Sequence, residues 1–110
     1  MPDLFQVTDV FGDTVCLPDR RWYGHILLIH PEIRPFLNEL ETTIQRPDCV
    51  YSSESDADVK LFYKRGIGQG KYRNLYLKVV VSYRTQPAIV KTAFFTNALT
   101  GGSLLWIKNP

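Results

Sequence analysis

Apolar residues recur at helical spacing in the segment that follows Pro31. They fit one buried helical face and are Ile33, Phe36, Leu37, Leu40 and Ile44. Pro31 and Pro35 fall near the first turn, where amide hydrogens lack intrahelical partners, and Pro47 follows the last periodic residue. The pattern therefore predicts a helix over residues 32–45.

A shorter helix is predicted ahead of it, from Asp19 to His30. Asp19 is expected to cap this helix by accepting a hydrogen bond from an amide of the first turn. The buried stripe of the helix is expected to comprise Trp22, Ile26 and Ile29, with His25 beside it.

Most of the remaining chain reads as short strands bounded by turn residues. Residues 5–8 and 14–17 flank a turn at Gly12 and predict a small N-terminal hairpin. Five further strands are predicted after Pro47, at residues 49–51, 59–64, 75–82, 88–95 and 103–107. Their short connections favour an antiparallel meander.

These elements predict an α+β fold in one domain over residues 1–110. Two N-terminal helices are expected to pack on one face of a four- to five-stranded antiparallel sheet, with the small hairpin in addition. The other face of the sheet would be left for ligands.

Alternation in the strand 75–82 separates two faces. One face carries Leu75, Leu77, Val79 and Val81, and the other carries Tyr76, Lys78, Val80 and Ser82. The first is the expected core face. Lys78 must then reach water, an anion or a cleft, because burying an unpaired ammonium is strongly unfavourable. In the next strand Lys91 and Thr92 are expected on opposite faces, and the pattern does not decide which residue faces a cleft.

Composition narrows the class of protein and of site. With 45% hydrophobic and 22% charged residues, the chain is typical of a globular domain. Cys16 and Cys49 are isolated and no apolar leader begins the chain, so a reduced, cytoplasmic protein is expected, although a disulfide between them stays open. No apolar run approaches the roughly 20 residues of a membrane helix.

Neither a metal nor a cofactor is expected from the motifs. The two histidines and two cysteines lack the spacing of zinc ligands. The glycine-rich loop at residues 66–71 lies between two predicted strands, whereas phosphate-binding glycine loops lead into a helix. The loop is therefore interpreted as a hairpin connection.

Charge is unevenly distributed although the net charge is only +2. Acidic residues dominate residues 36–58, and residues 60–91 carry eight lysines and arginines with no acidic residue. The basic stretch could meet a polyanion such as RNA. Alternatively, the two stretches neutralise each other across one surface.

The candidate chemistry uses side chains alone. His25 is a candidate because histidine can transfer a proton near neutral pH, although a lone helix histidine is more often a structural hydrogen-bonding residue. A histidine, lysines and hydroxyls around one sheet face suit RNA cleavage, in which a base removes the ribose 2′-hydroxyl proton and a cation stabilises the phosphate. Basic and aromatic candidates for RNA binding are Tyr63, Lys64, Tyr76, Arg84 and Lys91. Strand tyrosines are also common packing residues.

Several short motifs in order resemble the phage-type branch of the barnase, EndoU, colicin and RelE-like nuclease superfamily. They are Trp22-x-x-His25-Ile, His30-Pro31-Glu32, Thr43-Ile44-x-x-Pro47-Asp48-x-Val50, Leu77-Lys78-Val79-Val80-Val81 and Val90-Lys91-Thr92-Ala93-Phe94. The resemblance covers residues 21–106 and leaves the N-terminal hairpin outside. It implies a metal-independent RNase fold with two helices and a four-stranded antiparallel sheet, found in toxins, phage proteins and toxin–antitoxin modules.

The resemblance also implies roles for individual residues. His25 would be the general acid or base, Lys78 the cation at the phosphate, and Thr92 a positioning hydroxyl, with Tyr63 or Lys64 as a further candidate. The expected activity is that of a small endoribonuclease toxin, with RNA as substrate and a cognate antitoxin as partner. The alternative is a non-catalytic RNA- or protein-binding module on the same fold.

Overall fold

Seven strands form one mixed sheet in the computed structural model, which describes residues 2–109. The strands are β1 (Asp3–Thr8), β2 (Thr14–Pro18), β3 (Cys49–Ser52), β4 (Val59–Arg65), β5 (Tyr76–Ser82), β6 (Ala88–Thr96) and β7 (Leu104–Ile107). Across the sheet they lie in the order β1-β2-β6-β5-β4-β3-β7. Two helical segments complete the chain's α+β fold, as predicted, and a short 3-10 turn, Gly70–Tyr72, lies between β4 and β5.

The sheet differs from the predicted four- to five-stranded antiparallel one in strand number and direction. The N-terminal hairpin of β1 and β2 joins the main sheet, because β2 pairs in parallel with the start of β6. At the opposite edge, β7 pairs antiparallel with β3. Alternation of apolar and polar residues indicates which side chains share a face. It does not indicate which strand lies alongside.

The first helical segment, α1, covers residues 19–29 and contains a π-turn at Trp22–Ile26. The Leu27 amide donates to the Trp22 carbonyl, five residues back. This wide turn shifts the buried stripe by one residue, so Leu27 is buried while Ile29 is 56% exposed. The predicted stripe is therefore correct at Trp22 and Ile26 and wrong at Ile29.

The start of α1 also differs from the prediction. Pro18 is the N-cap residue and no side chain caps the helix, so the predicted cap by Asp19 is wrong. Asp19 lies instead in the first turn, where the helix dipole favours a carboxylate. One of its carboxylate oxygens is buried without a hydrogen-bond partner among residues 2–109.

The second helical segment, α2, covers residues 31–45. It begins as a 3-10 turn, Pro31–Phe36, and continues as the α-helix Leu37–Gln45. Its buried side chains are Ile33, Phe36, Leu40, Thr43 and Ile44. The helix predicted over residues 32–45 is thus confirmed, with a tighter first half that contains the second proline.

The core lies between the two helices and one face of the sheet. On β5 this face carries Leu77, Val79 and Val81, all fully buried, which confirms the predicted alternation. The face of the sheet opposite this core is called the open face below. On β5 it carries Tyr76, Lys78, Val80 and Ser82.

Residues 97–103, which connect β6 to β7, lie over part of the open face and are called the cover below. The Tyr63 hydroxyl on β4 donates to the Thr100 carbonyl at 2.7 Å. A Cβ at Gly101 would lie 2.8 Å from the Ser52 carbonyl oxygen of β3, so the cover approaches that strand closely. A second buried cluster lies at this end of the open face and comprises Cys49, Val59, Leu61 and Tyr63.

The sheet order settles the disulfide question that the sequence left open. Cys16 is on β2 and Cys49 on β3, with β6, β5 and β4 between those strands. Four inter-strand steps amount to about 19 Å, far beyond the reach of a disulfide. Both cysteines are free, and burial raises the pKa of each thiol. No helix within residues 2–109 is long and apolar enough to cross a membrane.

Candidate functional site

Lys78 lies on the open face between two aromatic residues of neighbouring strands. It pairs with Tyr63 on β4 and with Phe94 on β6. Its Nζ lies 5.6 Å from the Tyr63 ring centroid and 5.3 Å from that of Phe94, and it donates to Thr100 Oγ1 at 3.2 Å. No carboxylate side chain among residues 2–109 lies within ion-pair distance of it. Its charge is therefore available to an anion.

Thr92 lies on the same face as Lys78. The register pairs Thr92 with Val80 and Phe94 with Lys78, so Thr92 is a diagonal neighbour of the lysine. Diagonal neighbours are about 7–8 Å apart across a sheet. This distance allows both side chains to contact one phosphate group.

A β-bulge resolves the uncertainty about Lys91 and Thr92. Val80 pairs with Thr92, whereas the next residue, Val81, pairs with Val90, so Lys91 is the additional residue of the bulge. Lys91 lines a hollow together with Ser82 of the open face. Lys91 and Thr92 thus lie on the same side of the sheet, although simple alternation would place them on opposite sides.

His30 is the histidine that shares an aromatic neighbour with Lys78. Its ring stacks on Phe94 with centroids 4.9 Å apart and an interplanar angle of 25°. Its Nδ1 lies 3.5 Å from a carboxylate oxygen of Glu32, which orients the imidazole. His30 and Lys78 therefore lie close to one ring, an arrangement that the motif spacing does not reveal.

His25 lies in a different part of the same side of the molecule. It lines a hollow of about 260 Å³ together with Pro18, Arg20, Arg21 and Ile89. Ile89 pairs with Ser82, which places this hollow on the open face beside the start of β6. No contact within residues 2–109 joins His25 to Lys78, and their common pocket stays a prediction.

Two of the predicted RNA-binding cations are engaged with acidic residues. Arg84 lies 2.9 Å from Asp56 and 3.5 Å from Asp58. Lys64 lies 3.8 Å from Asp48 and donates to the Arg46 carbonyl at 2.7 Å. At these positions the acidic and basic stretches neutralise each other, which is the second of the two interpretations of the charge pattern.

The predicted tyrosines differ in their exposure. Tyr63 is fully buried, and its hydroxyl is bonded to the cover, as expected of a packing residue. Tyr76 is half-buried, and the Arg65 guanidinium lies 5.6 Å from its ring centroid. Tyr76 and Arg65 are direct cross-strand neighbours on the open face. Tyr76 is thus the better placed of the two to contact a base.

Asp48 connects the strands at the β3–β4 end of the sheet. It accepts hydrogen bonds from the Arg65 amide and the Lys108 ammonium, both at 2.9 Å. Partial burial favours its neutral form, but these hydrogen bonds and the charges of Lys108 and Lys64 outweigh burial and hold the pKa of Asp48 below its usual value. Asp48 therefore stays ionised as a structural anion.

Sequence reasoning missed Arg20 and Arg21 as candidates. Both line the hollow of His25. The signal was two adjacent arginines directly before Trp22, outside the stretch where the other cations are concentrated. Within residues 2–109, no three histidine, cysteine or acidic side chains are grouped as metal ligands would be.

Comparison with known proteins identified no matching family model, no matching curated protein and no matching solved structure. The nuclease resemblance therefore depends on the motifs alone, and the functional argument depends on the geometry of the open face.

Proposed function

We propose that the protein is a metal-independent endoribonuclease that cleaves RNA through the ribose 2′-hydroxyl. The observation that carries the proposal is the position of Lys78, a half-buried side chain on the open face with no carboxylate side chain of residues 2–109 within ion-pair distance. Thr92 lies diagonal to it, and His30 stacks on the aromatic ring beside it. A cation, a hydroxyl and an imidazole on one surface support phosphodiester chemistry.

The reaction needs three contributions from these side chains. A neutral imidazole takes the proton of the 2′-hydroxyl, and the 2′-oxygen bonds to phosphorus while the bond from phosphorus to the 5′-oxygen breaks. The departing 5′-oxygen takes a proton from a general acid or from water. The products are a 2′,3′-cyclic phosphate and a free 5′-hydroxyl. Lys78 stabilises the negative phosphoryl oxygens, and Thr92 positions them.

Two histidines compete for the proton-transfer role. The motif resemblance favours His25, and the shared contact with Phe94 favours His30. His25 is close to Arg20 and Arg21, which would also stabilise a phosphate. The two assignments make different predictions for single substitutions.

Cleavage of a fluorescent single-stranded RNA in the presence of a chelator tests the proposal. Lys78→Ala should lower the rate about 10²–10³-fold, as loss of a transition-state cation does. Lys71→Ala removes the same charge from an exposed loop and should cleave like the unmodified protein. RNA with a 2′-deoxy group at the cleaved position should resist. Equal rates for the two lysine variants would contradict the proposal.

The histidine assignment is decided in the same assay. His25→Ala and His30→Ala should differ in cleavage rate. Substitution of the histidine that transfers the proton should lower the rate about 10²–10⁴-fold. Full activity in His25→Ala would remove the role that the motifs imply for it. Full activity in both would show that neither imidazole transfers the proton.

The alternative, an RNA- or protein-binding module without cleavage, is favoured by one contact. Thr100 Oγ1 of the cover accepts a hydrogen bond from Lys78, which engages the ammonium with the protein. This alternative predicts salt-sensitive RNA binding without strand scission.

As a toxin, the enzyme would also be expected to stop growth on expression and to be neutralised by an antitoxin protein.

A further inference from the structure

Three adjoining hollows meet at Ile89 and form one groove, called the Ile89 groove below. Their volumes are about 260, 480 and 220 Å³, and Ile89 lines all three. Pro18 and Pro87 provide further apolar surface. The groove therefore has an apolar floor large enough for a planar ring the size of a nucleobase.

Cations line this apolar floor. Arg20 and Arg21 line it from α1, and Lys91 lines it from β6. None of the three lies within ion-pair distance of a carboxylate side chain among residues 2–109. The acidic residues of the groove are Asp3 and Asp56, and Asp56 is paired with Arg84. The charge of Lys91 also contributes to lowering the pKa of Asp56, whereas Arg20 and Arg21 face the groove without an ion pair among residues 2–109.

Two irregularities of the backbone produce this arrangement. α1 follows β2 without a loop, so both arginines lie directly beside the strand that ends at Pro18. The bulge in β6 directs Lys91 to the same side as Ile89. Guanidinium groups match the geometry of phosphate oxygens, and an apolar floor between them matches a base.

We propose that the Ile89 groove binds one nucleotide of a single-stranded RNA, next to the nucleotide that is cleaved. The base lies on Ile89, and the phosphate is held by Arg20, Arg21 and Lys91. This inference rests on the proposed function and deepens it, because it assigns the path of the substrate strand. His25 lines the same groove.

Binding of an RNA that cannot be cleaved tests this inference independently of catalysis. The probe is a fluorescent 2′-O-methyl RNA of ten nucleotides, and the measurement is fluorescence anisotropy over a range of salt concentrations. The double variant Arg20→Ala/Arg21→Ala should weaken binding about tenfold. It should also lower the slope of log affinity against log salt by about 0.7, since this is the contribution of one phosphate neutralised on a single strand.

The matched control is Arg34→Ala/Arg73→Ala, which removes two exposed arginines outside the groove. It should change the affinity less than twofold. Lys91→Ala, at an exposed position, should weaken binding about threefold and serves as the second variant if the arginine variant fails to fold. Equal affinity of groove and control variants, or no binding by the unmodified protein, would overturn the inference.

The outcomes also separate the two proposals. Binding that depends on the groove, without cleavage of natural RNA, would support the groove and contradict the nuclease. Cleavage that depends on Lys78, with an affinity independent of Arg20, Arg21 and Lys91, would support the nuclease and contradict the groove.

Discussion

The two ends of the open face differ in what lies on them, although both belong to one continuous sheet. At the β3–β4 end, the cover lies on the sheet, Tyr63 is fully buried and its hydroxyl is bonded to Thr100. At the β6 end, Ile89 lines hollows together with Arg20, Arg21 and Lys91, none of which lies within ion-pair distance of a carboxylate side chain among residues 2–109. Internal partners satisfy the polar groups of the covered end. At the uncovered end, polar groups are available to solvent or a ligand.

From this difference we expect the covered end to stabilise the fold and the β6 end to bind RNA. Lys64 and Lys108 at the β3–β4 end of the sheet lie near Asp48, whose partly buried carboxylate helps to fix the strands to each other. Exposed cations such as Arg20 and Lys91 contribute little to folding. Substitutions at the two ends should therefore separate unfolding from RNA binding.

The largest expected effect on stability is that of Tyr63→Ala. Removing a fully buried aromatic ring and its hydrogen bond to Thr100 should lower the free energy of unfolding by about 3–5 kcal/mol. Urea unfolding followed by circular dichroism measures this loss. A loss below about 1 kcal/mol would show that the cover does not stabilise the sheet.

Gly101→Ala should have the next largest effect. Gly101 has φ +142°, and a Cβ there would lie 2.8 Å from the Ser52 carbonyl oxygen. Strain of this kind costs about 1–3 kcal/mol, again measured by urea unfolding. Gly24→Ala is the matched control, because no atom lies within 4 Å of its added Cβ. A loss in the control as large as in Gly101→Ala would contradict the explanation.

Asp48→Asn should lower the free energy of unfolding by about 1 kcal/mol at pH 7, through loss of charge-assisted hydrogen bonds. Because the pKa of Asp48 is lower in the folded protein than in the unfolded chain, its contribution is present above the unfolded pKa. The contribution disappears as the pH falls through the folded pKa. The difference between the two proteins should thus shrink with acidification, and a constant difference would argue against an ionised role.

Arg20→Ala should have the smallest effect on unfolding, within about 0.5 kcal/mol, since its side chain is exposed and makes no ion pair within residues 2–109. RNA affinity should nevertheless fall. A variant that loses stability without losing affinity would reverse the comparison between the two ends.

The sequence was sufficient for the elements and their faces where periodicity is regular. The α2 helix and the alternation of Leu77, Val79 and Val81 followed directly from spacing. Prediction was wrong at Ile29, because a π-turn changes the period within a segment too short to reveal it. The pattern did not decide which of Lys91 and Thr92 faces a cleft, because a bulge places both residues on the same side of the sheet.

The candidate site was predictable only in part, for a related reason. Lys78 could be recognised as a cation in an apolar strand, without knowledge of its neighbours. Its proximity to His30 through Phe94, and the groove around Ile89, depend on contacts between segments distant in the chain. Spacing within one segment carries no information about such contacts.

The parallel contact between β2 and β6 joins segments that are translated at different times. β2 is translated well before β6, its partner outside the hairpin. An isolated two-stranded ribbon is only marginally stable in water. The Ile89 groove, which needs both strands, is therefore completed only after β6 has been translated.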